Sequence, residues 1–323
     1  MNDIKSPIFC VFDDPYCLWD QDYAERNKEF VAGFDVEHFE FILNKFIDDV
    51  DEMRSSIIIR TTLHHAVETM FTLLGAYVQA PDVAYAWVTK CPTGHLRKLL
   101  KAMMEGSNTV PRRNSLIKNL TFEDISKAIY HYSVYPKREN DNTIKLYAVF
   151  WMRMARDFLD SNSIDEYNSL KHGFRVKSGG SKIKIAVEKE HNVRPAVSEF
   201  ETFCDSQYGT RFFKAEKTPD ISGNRSMRTR RTSLNWPIER TILLLQLVSM
   251  SINNIVNSLK IANGAKPSES IYHRPENDSD FELPWTFSTN VTSMNLDLHL
   301  PEKLVQETSK SQLLEIISNH NKK

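Results

Sequence analysis

The spacing of apolar residues changes character at residue 173, and this change constrains the fold more than any other feature. Upstream, Val36, Phe39, Leu43, Phe46, Val50, Met53 and Ile57 recur at intervals of three and four. Glu37, Lys45, Asp48, Asp49 and Glu52 fill the positions between them. That pattern makes an apolar stripe along a charged helix, with Asp35 as its N-cap. The β-branched run Ile57-Ile58-Ile59 and the pair Thr61-Thr62 predict a break or kink. A second stripe then runs through Leu63, Val67, Met70, Leu74 and Tyr77 and stops before Pro81. Shorter helices are expected at 82–90, 94–105 and 122–133, the last capped by Thr121.

A strong helix over 143–160 carries Tyr147, Phe150, Trp151, Met154 and Phe158 on one side. Ser163 and Glu166 form a capping box for a short helix that Lys171, His172 and Gly173 close.

Past Gly173 the period becomes two. Phe174 and Val176 alternate with Arg175 and Lys177, and Ile183, Ile185 and Val187 alternate with Lys182, Lys184 and Ala186. Ser178-Gly179-Gly180-Ser181 lies between the runs, so the pattern predicts a β-hairpin whose apolar side faces a core. Further strands are expected at 211–217 and 227–233. Helical spacing returns at Pro237, where 238–261 reads as a long helix through a core, ended by Asn263-Gly264.

The expected fold is mainly α and α+β overall. An aromatic, acidic lead-in (1–34) precedes a helical bundle (35–172) and a smaller, basic β-containing segment (173–236). The remainder (237–323) holds the long buried helix, an acidic loop over 265–285, a strand over 286–300 and a terminal helix over 302–318. Only ten glycines among 323 residues agrees with a helical chain. The four cysteines, Cys10, Cys17, Cys91 and Cys204, lack zinc-site spacing and are expected as buried thiols. The N-terminus lacks the plan of a signal peptide. The most apolar run, 242–252, is interrupted by Gln246, Ser249 and Ser251 and is shorter than the roughly 20 residues a bilayer needs. A cytoplasmic protein, away from membranes, is expected.

Charge is distributed unevenly. Residues 171–231 hold fourteen Lys and Arg against seven Asp and Glu, in a chain whose net charge is −1. A local cationic surplus of this size marks a surface for an anion, with nucleic acid the leading partner and RNA ahead of DNA. On the predicted hairpin, Arg175, Lys177, Lys182 and Lys184 would project outward to track phosphates, with Lys171 and His172 beside them. Arg225, Arg228, Arg230 and Arg231 form a second basic run, with Trp236 nearby as a stacking group. The plainer alternative is a solvated strand edge that lysines protect from aggregation.

Arg60, His64 and Glu68 stack at i, i+4 and i+8 on a helix, and Arg60 falls on the core-facing stripe. A charge there needs a partner, and an ion pair with Asp157 or Glu68 is the structural expectation. The spacing Arg60-x4-His65 also resembles the arginine–histidine motif of HEPN domains, helical bundles many of which cut RNA without a metal. That resemblance implies a homodimer in which Arg60 stabilises phosphate charge and His65 assists proton transfer; it implies no cofactor. A non-enzymatic helical scaffold built on the 36–57 stripe is the third alternative. No phosphate-binding glycine loop, nucleophile elbow or H-E-x-x-H is present.

Overall fold

The computed structural model describes residues 7–49, 51–217, 227–297, 300, 305 and 308–320. The chain divides into two units, Met1–Tyr167 with Pro237–Ser288, and Asn168–Trp236 with Thr289–Lys323. The chain therefore leaves the first unit at Tyr167 and returns to it at Pro237.

The first unit opens on a hairpin, β1 (Ile8–Val11) and β2 (Asp14–Cys17), where a lead-in without regular structure was expected. Phe9 and Val11 are buried, and Phe12 turns the corner at φ 58°. Gln79 clamps that turn, accepting from Phe12 N at 2.9 Å and donating to Phe12 O at 2.7 Å. Cys17 is exposed, and Cys10 and Cys91 are only partly buried, so Cys204 alone meets the expectation of a buried thiol. A four-residue strand is too short to show a period above its aromatic background, which is why the sequence hid the hairpin.

Helices α1 (Tyr23–Ala32), α2 (His38–Phe46) and α3 (Glu52–Gln79) follow. The first stripe is therefore divided between α2 and α3 rather than kinked at 57–62. Asp51 caps α3, accepting from Arg54 N at 3.1 Å. The β-branched residues do not break α3. Ile57 and Ile59 are buried, and Thr61 and Thr62 return their hydroxyls to the carbonyls of Ile57 and Ile58, each at 2.8 Å. Burial outweighs the few tenths of a kcal/mol of propensity these residues give up. Phe39, Leu43 and Ile57 of the first stripe are buried in the unit's own core, whereas Val36, Phe46 and Met53 are partly buried.

Helices α4 (Ala84–Lys90), α5 (Thr93–Glu105), α6 (Phe122–Ile129), α7 (Lys137–Leu159) and α8 (Ser161–Lys171) complete this half of the chain. Thr121 caps α6 as expected, accepting from Asp124 N at 3.1 Å. Gly75 lets α3 meet the Trp87 ring: a Cβ there would lie 2.4 Å from the indole.

The long helix α9 (Ile238–Ala262) packs along α3 and against α1 and α2. Ser251 accepts from the Trp151 indole at 3.0 Å, and Asn254 holds His273 at both its N–H and its carbonyl, at 2.8 and 2.7 Å. Among the described residues, only this helix is long and apolar enough to cross a membrane, and two thirds of its apolar window is buried within the protein.

In the second unit, β3 (Val176–Ser178), β6 (Gly209–Lys217), β7 (Met227–Asn235) and β8 (Ser293–Leu296) form an antiparallel sheet in the order β3-β6-β7-β8. A separate pair joins β4 (Lys182–Ile185) to β5 (Glu201–Asp205), with a bulge at Ile183/Lys184. The expected hairpin is thus absent: β3 pairs with β6, β4 pairs with β5, and neither pairs with the other. Nor does its apolar side face a core, since Phe174, Ile185 and Val187 are exposed. Gly180 explains the difference. A Cβ on it would lie 2.1 Å from Ser206 O, so the Gly-Gly segment passes between two strand pairs by backbone contact instead of turning back.

The final helix, α10, spans Lys310–His320, and β8 is far shorter than the strand expected over 286–300. Most of 301–307 lies outside the described residues.

Candidate functional site

Two places hold the residues with chemistry, one in each unit. In the helical unit, Arg60 donates to Glu166 Oε2 through Nε at 3.1 Å and Nη2 at 2.7 Å, and His64 Nε2 meets the same oxygen at 3.0 Å. Glu166 is fully buried, whereas the Arg60 and His64 side chains keep 16% and 14% of their surface. Burial pushes the Glu166 carboxyl up, yet the Arg60 charge and the His64 hydrogen bond together hold it well below the usual carboxylate range. Burial lowers the His64 pKa, as does Arg60, and this outweighs the pull of Glu166. His64 is therefore neutral at neutral pH, donating from Nε2 and leaving Nδ1 as the acceptor.

His64 also stacks on Tyr167, with ring centroids 5.3 Å apart and planes 15° from parallel. Tyr167 Oη donates to Glu68 Oε2 at 2.7 Å, and Thr93 Oγ1 donates to Glu68 Oε1 at 3.0 Å. Burial raises the Tyr167 pKa far above its ordinary value, with Glu68 adding to the effect, so the phenol keeps its proton. Asp157 pairs instead with Arg240, Nη2 to Oδ2 at 3.1 Å.

The expected buried ion pair of Arg60 is present, but its partner is Glu166. Glu166 is expected in a capping box with Ser163; instead α8 begins three residues earlier, and Asp160 accepts from Ser163 N at 3.0 Å. His65 stands five residues from Arg60, about 140° around the α3 axis. It is exposed and meets the edge of the Phe39 ring, with centroids 5.9 Å apart. The structure brings Arg60 together with His64 rather than with His65.

The second place is the four-stranded sheet, which sorts the predicted cations into two groups. On one face, Arg228 Nε meets Glu216 at 3.3 Å, Arg230 Nη1 meets Glu216 at 3.0 Å, and Arg230 Nε meets Asp297 at 2.6 Å. Glu216 and Asp297 thus answer Arg228 and Arg230, on a face that also holds Lys214 opposite Arg230.

The opposite face follows from the register: Lys177 pairs with Arg211, and Phe213 pairs with Arg231, which in turn pairs with Leu296. Residues two apart on a strand share a face, so Lys177, Arg211, Phe213, Ala215, Met227, Thr229, Arg231, Ser233, Met294 and Leu296 lie together. None of these is acidic. Among the described residues, Lys177 and Arg231 have no ion-pair partner. Arg211 donates to Gly180 O at 3.2 Å, and its Nε is buried with no partner among those residues. Phe213 is 70% exposed between these cations.

The remaining predicted cations are scattered. Lys182 is ion-paired with Asp205, and Lys184 stands opposite Thr202 on the other strand pair. Arg175 and His172 are exposed just beyond α8, where Arg175 N donates to Ser169 O at 2.7 Å and His172 N to Asn168 O at 3.0 Å. Lys171 ends α8 itself. Arg225 lies outside the described residues. Trp236 is buried and stacked near-parallel on Tyr208, 6.3 Å between centroids, so it is unavailable to a base. Sequence reasoning missed Phe213 and Arg211. The doublet Phe212-Phe213 was the available signal, because adjacent residues of a strand must face opposite sides. Phe212 is buried and Phe213 is left outside.

Comparison with family models, curated proteins and solved structures returned no match for this chain.

Proposed function

We propose that this protein binds nucleic acid through the exposed part of one face of its four-stranded sheet, as a cytoplasmic binding protein whose natural target is RNA ahead of DNA. The observation that carries this reading is the separation of charge across the sheet. Glu216 and Asp297 neutralise Arg228 and Arg230 on one face, whereas Lys177, Arg211 and Arg231 share the other with no acidic residue among its described positions. Cations without carboxylates beside them keep their counterions, and release of those ions on meeting phosphate supplies the binding free energy. Protection of a strand edge would not explain the pattern, because Arg211 and Arg231 lie on the two inner strands.

The test is fluorescence anisotropy with a labelled RNA and a labelled DNA of one sequence, between about 50 and 200 mM salt. Lys177→Glu and Arg231→Glu should each weaken binding and reduce the slope of log K against log salt by about 0.7 on a single strand. Lys182→Glu should leave the slope unchanged, since its charge is already answered by Asp205. Equal slopes in wild type, Lys177→Glu and Arg231→Glu would remove this face from the interface.

A further inference from the structure

The exposed ring of Phe213 says which form of nucleic acid the face suits. The ring is 70% exposed in a strand whose neighbouring phenylalanine, Phe212, is 2% exposed. Phe213 is flanked on its own strand by Arg211 and Ala215 and stands opposite Arg231. Paired strands lie about 4.8 Å apart, and the next residue on the same face lies about 6.6 Å along the strand. A flat aromatic surface therefore has a guanidinium directly beside it and a second cationic row, Arg211 with Lys177, one step away.

A duplex cannot use that arrangement well. Its bases are stacked on one another and present only their edges in the grooves, which a helix or a projecting ribbon must enter. An unpaired base offers its π-face, and covering a phenyl ring with such a face is the main sequence-tolerant contact in single-strand binding. An apolar protein surface would also cover Phe213, but it would leave Lys177, Arg211 and Arg231 without counter-charge. The juxtaposition of one bare ring with three such cations favours a polyanion that carries aromatic groups.

Resting on the nucleic-acid reading above, we propose that the sheet takes single-stranded nucleic acid, with one base stacked on Phe213 and the adjoining phosphates on Arg231 and on the Lys177–Arg211 row. Beyond the cations, the described side chains at the exposed end are Ala215, Met227, Thr229 and Leu296, so the Thr229 hydroxyl is the one neutral group there that can hydrogen-bond a base edge. Binding is thus expected to tolerate sequence.

The experiment uses the full chain and a labelled oligouridine, a mixed-sequence single strand, and that same strand annealed to its complement. Single strands are expected to bind at least about tenfold tighter than the duplex. Phe213→Ala should weaken single-strand binding by about five- to one-hundred-fold while leaving the salt slope unchanged, the signature of a lost stacking contact rather than a lost phosphate contact. Phe213→Trp should retain affinity, and its indole emission should be quenched on binding. Because Phe213 supports no core, both variants should melt with the wild type.

Equal affinity for duplex and single strand, or wild-type affinity in Phe213→Ala, overturns the inference. In that case salt-dependent losses in Lys177→Glu and Arg231→Glu would still uphold nucleic-acid binding itself. No binding of any oligonucleotide overturns both. Sedimentation of the same variants covers the protein alternative: self-association lost in Phe213→Ala, with oligonucleotide affinity unchanged, would assign the face to a second copy of the chain.

Discussion

Replacing Arg60 by alanine removes the charge that lets Glu166 remain ionised inside the helical unit. Glu166 has no exposed surface, and Oε2 receives both Arg60 donors as well as His64. Deleting one partner of a buried pair leaves the other charge uncompensated, which costs about 3–5 kcal/mol. For a cooperative unit of this size each kcal/mol moves the melting temperature by about 2–4 °C, so Arg60→Ala should melt roughly 6–20 °C below wild type. Adding Glu166→Gln to that variant removes the stranded charge and keeps a hydrogen-bonding side chain of equal size. The double variant should therefore be more stable than Arg60→Ala alone, although it has lost one more native group.

The pH dependence gives a second, independent reading of the same pair. The folded-state pKa of Glu166 lies well below its ordinary value of 4.5, so its contribution is in place above that value and is lost as pH falls towards the folded pKa. Without Arg60, burial raises the carboxyl instead, and the folded variant takes up a proton that stabilises it. The gap in melting temperature between wild type and Arg60→Ala should then narrow between pH 7 and pH 4. Thermal unfolding followed by circular dichroism across that range tests both points. A variant within about 2 °C of wild type, or a gap independent of pH, would refute the account of Glu166 as a buried, Arg60-held carboxylate.

Two further outcomes follow from the helical unit. His65→Ala should leave the melting temperature unchanged, because His65 is exposed and its aromatic contact is with the edge of Phe39; RNA cleavage that survives EDTA and disappears in this variant at unchanged melting temperature would instead establish the ribonuclease role implied by the HEPN resemblance. Gly75→Ala should destabilise by about 1–3 kcal/mol, since its Cβ would lie 2.4 Å from the buried Trp87 ring, and a variant as stable as wild type in urea titration would show that the ring can retreat.

The helical half was legible because its signals are local. The stripe through Leu63, Val67, Met70 and Leu74, the Thr121 cap and the long apolar run from Ile238 all depend on residues within a few turns of each other. Errors arose where tertiary burial overrode propensity, as when α3 ran straight through Ile57–Thr62. They arose too where a local signal had a distant use, as when Glu166 met Arg60 across 106 residues instead of capping its own helix. Asp48 and Asp49, which suit the polar side of one continuous helix, instead lie in the break before α3, and Asp51 caps it.

The β half was legible only as alternation, and alternation does not name a partner. The runs around Lys177 and Lys184 read as two arms of one hairpin, yet each pairs with a strand from farther along the chain. Charge behaves in the same way. The surplus between residues 171 and 231 is fixed by composition, but which cations keep their charge for a ligand is decided by register. A slip of one residue would carry Arg231 to the face of Glu216 and Asp297 and bring Arg230 out beside Phe213. The proposed binding face thus depends on which of two adjacent arginines meets the acids, a choice made by the antiparallel pairing of β6, β7 and β8 and carried by no motif in any one of them.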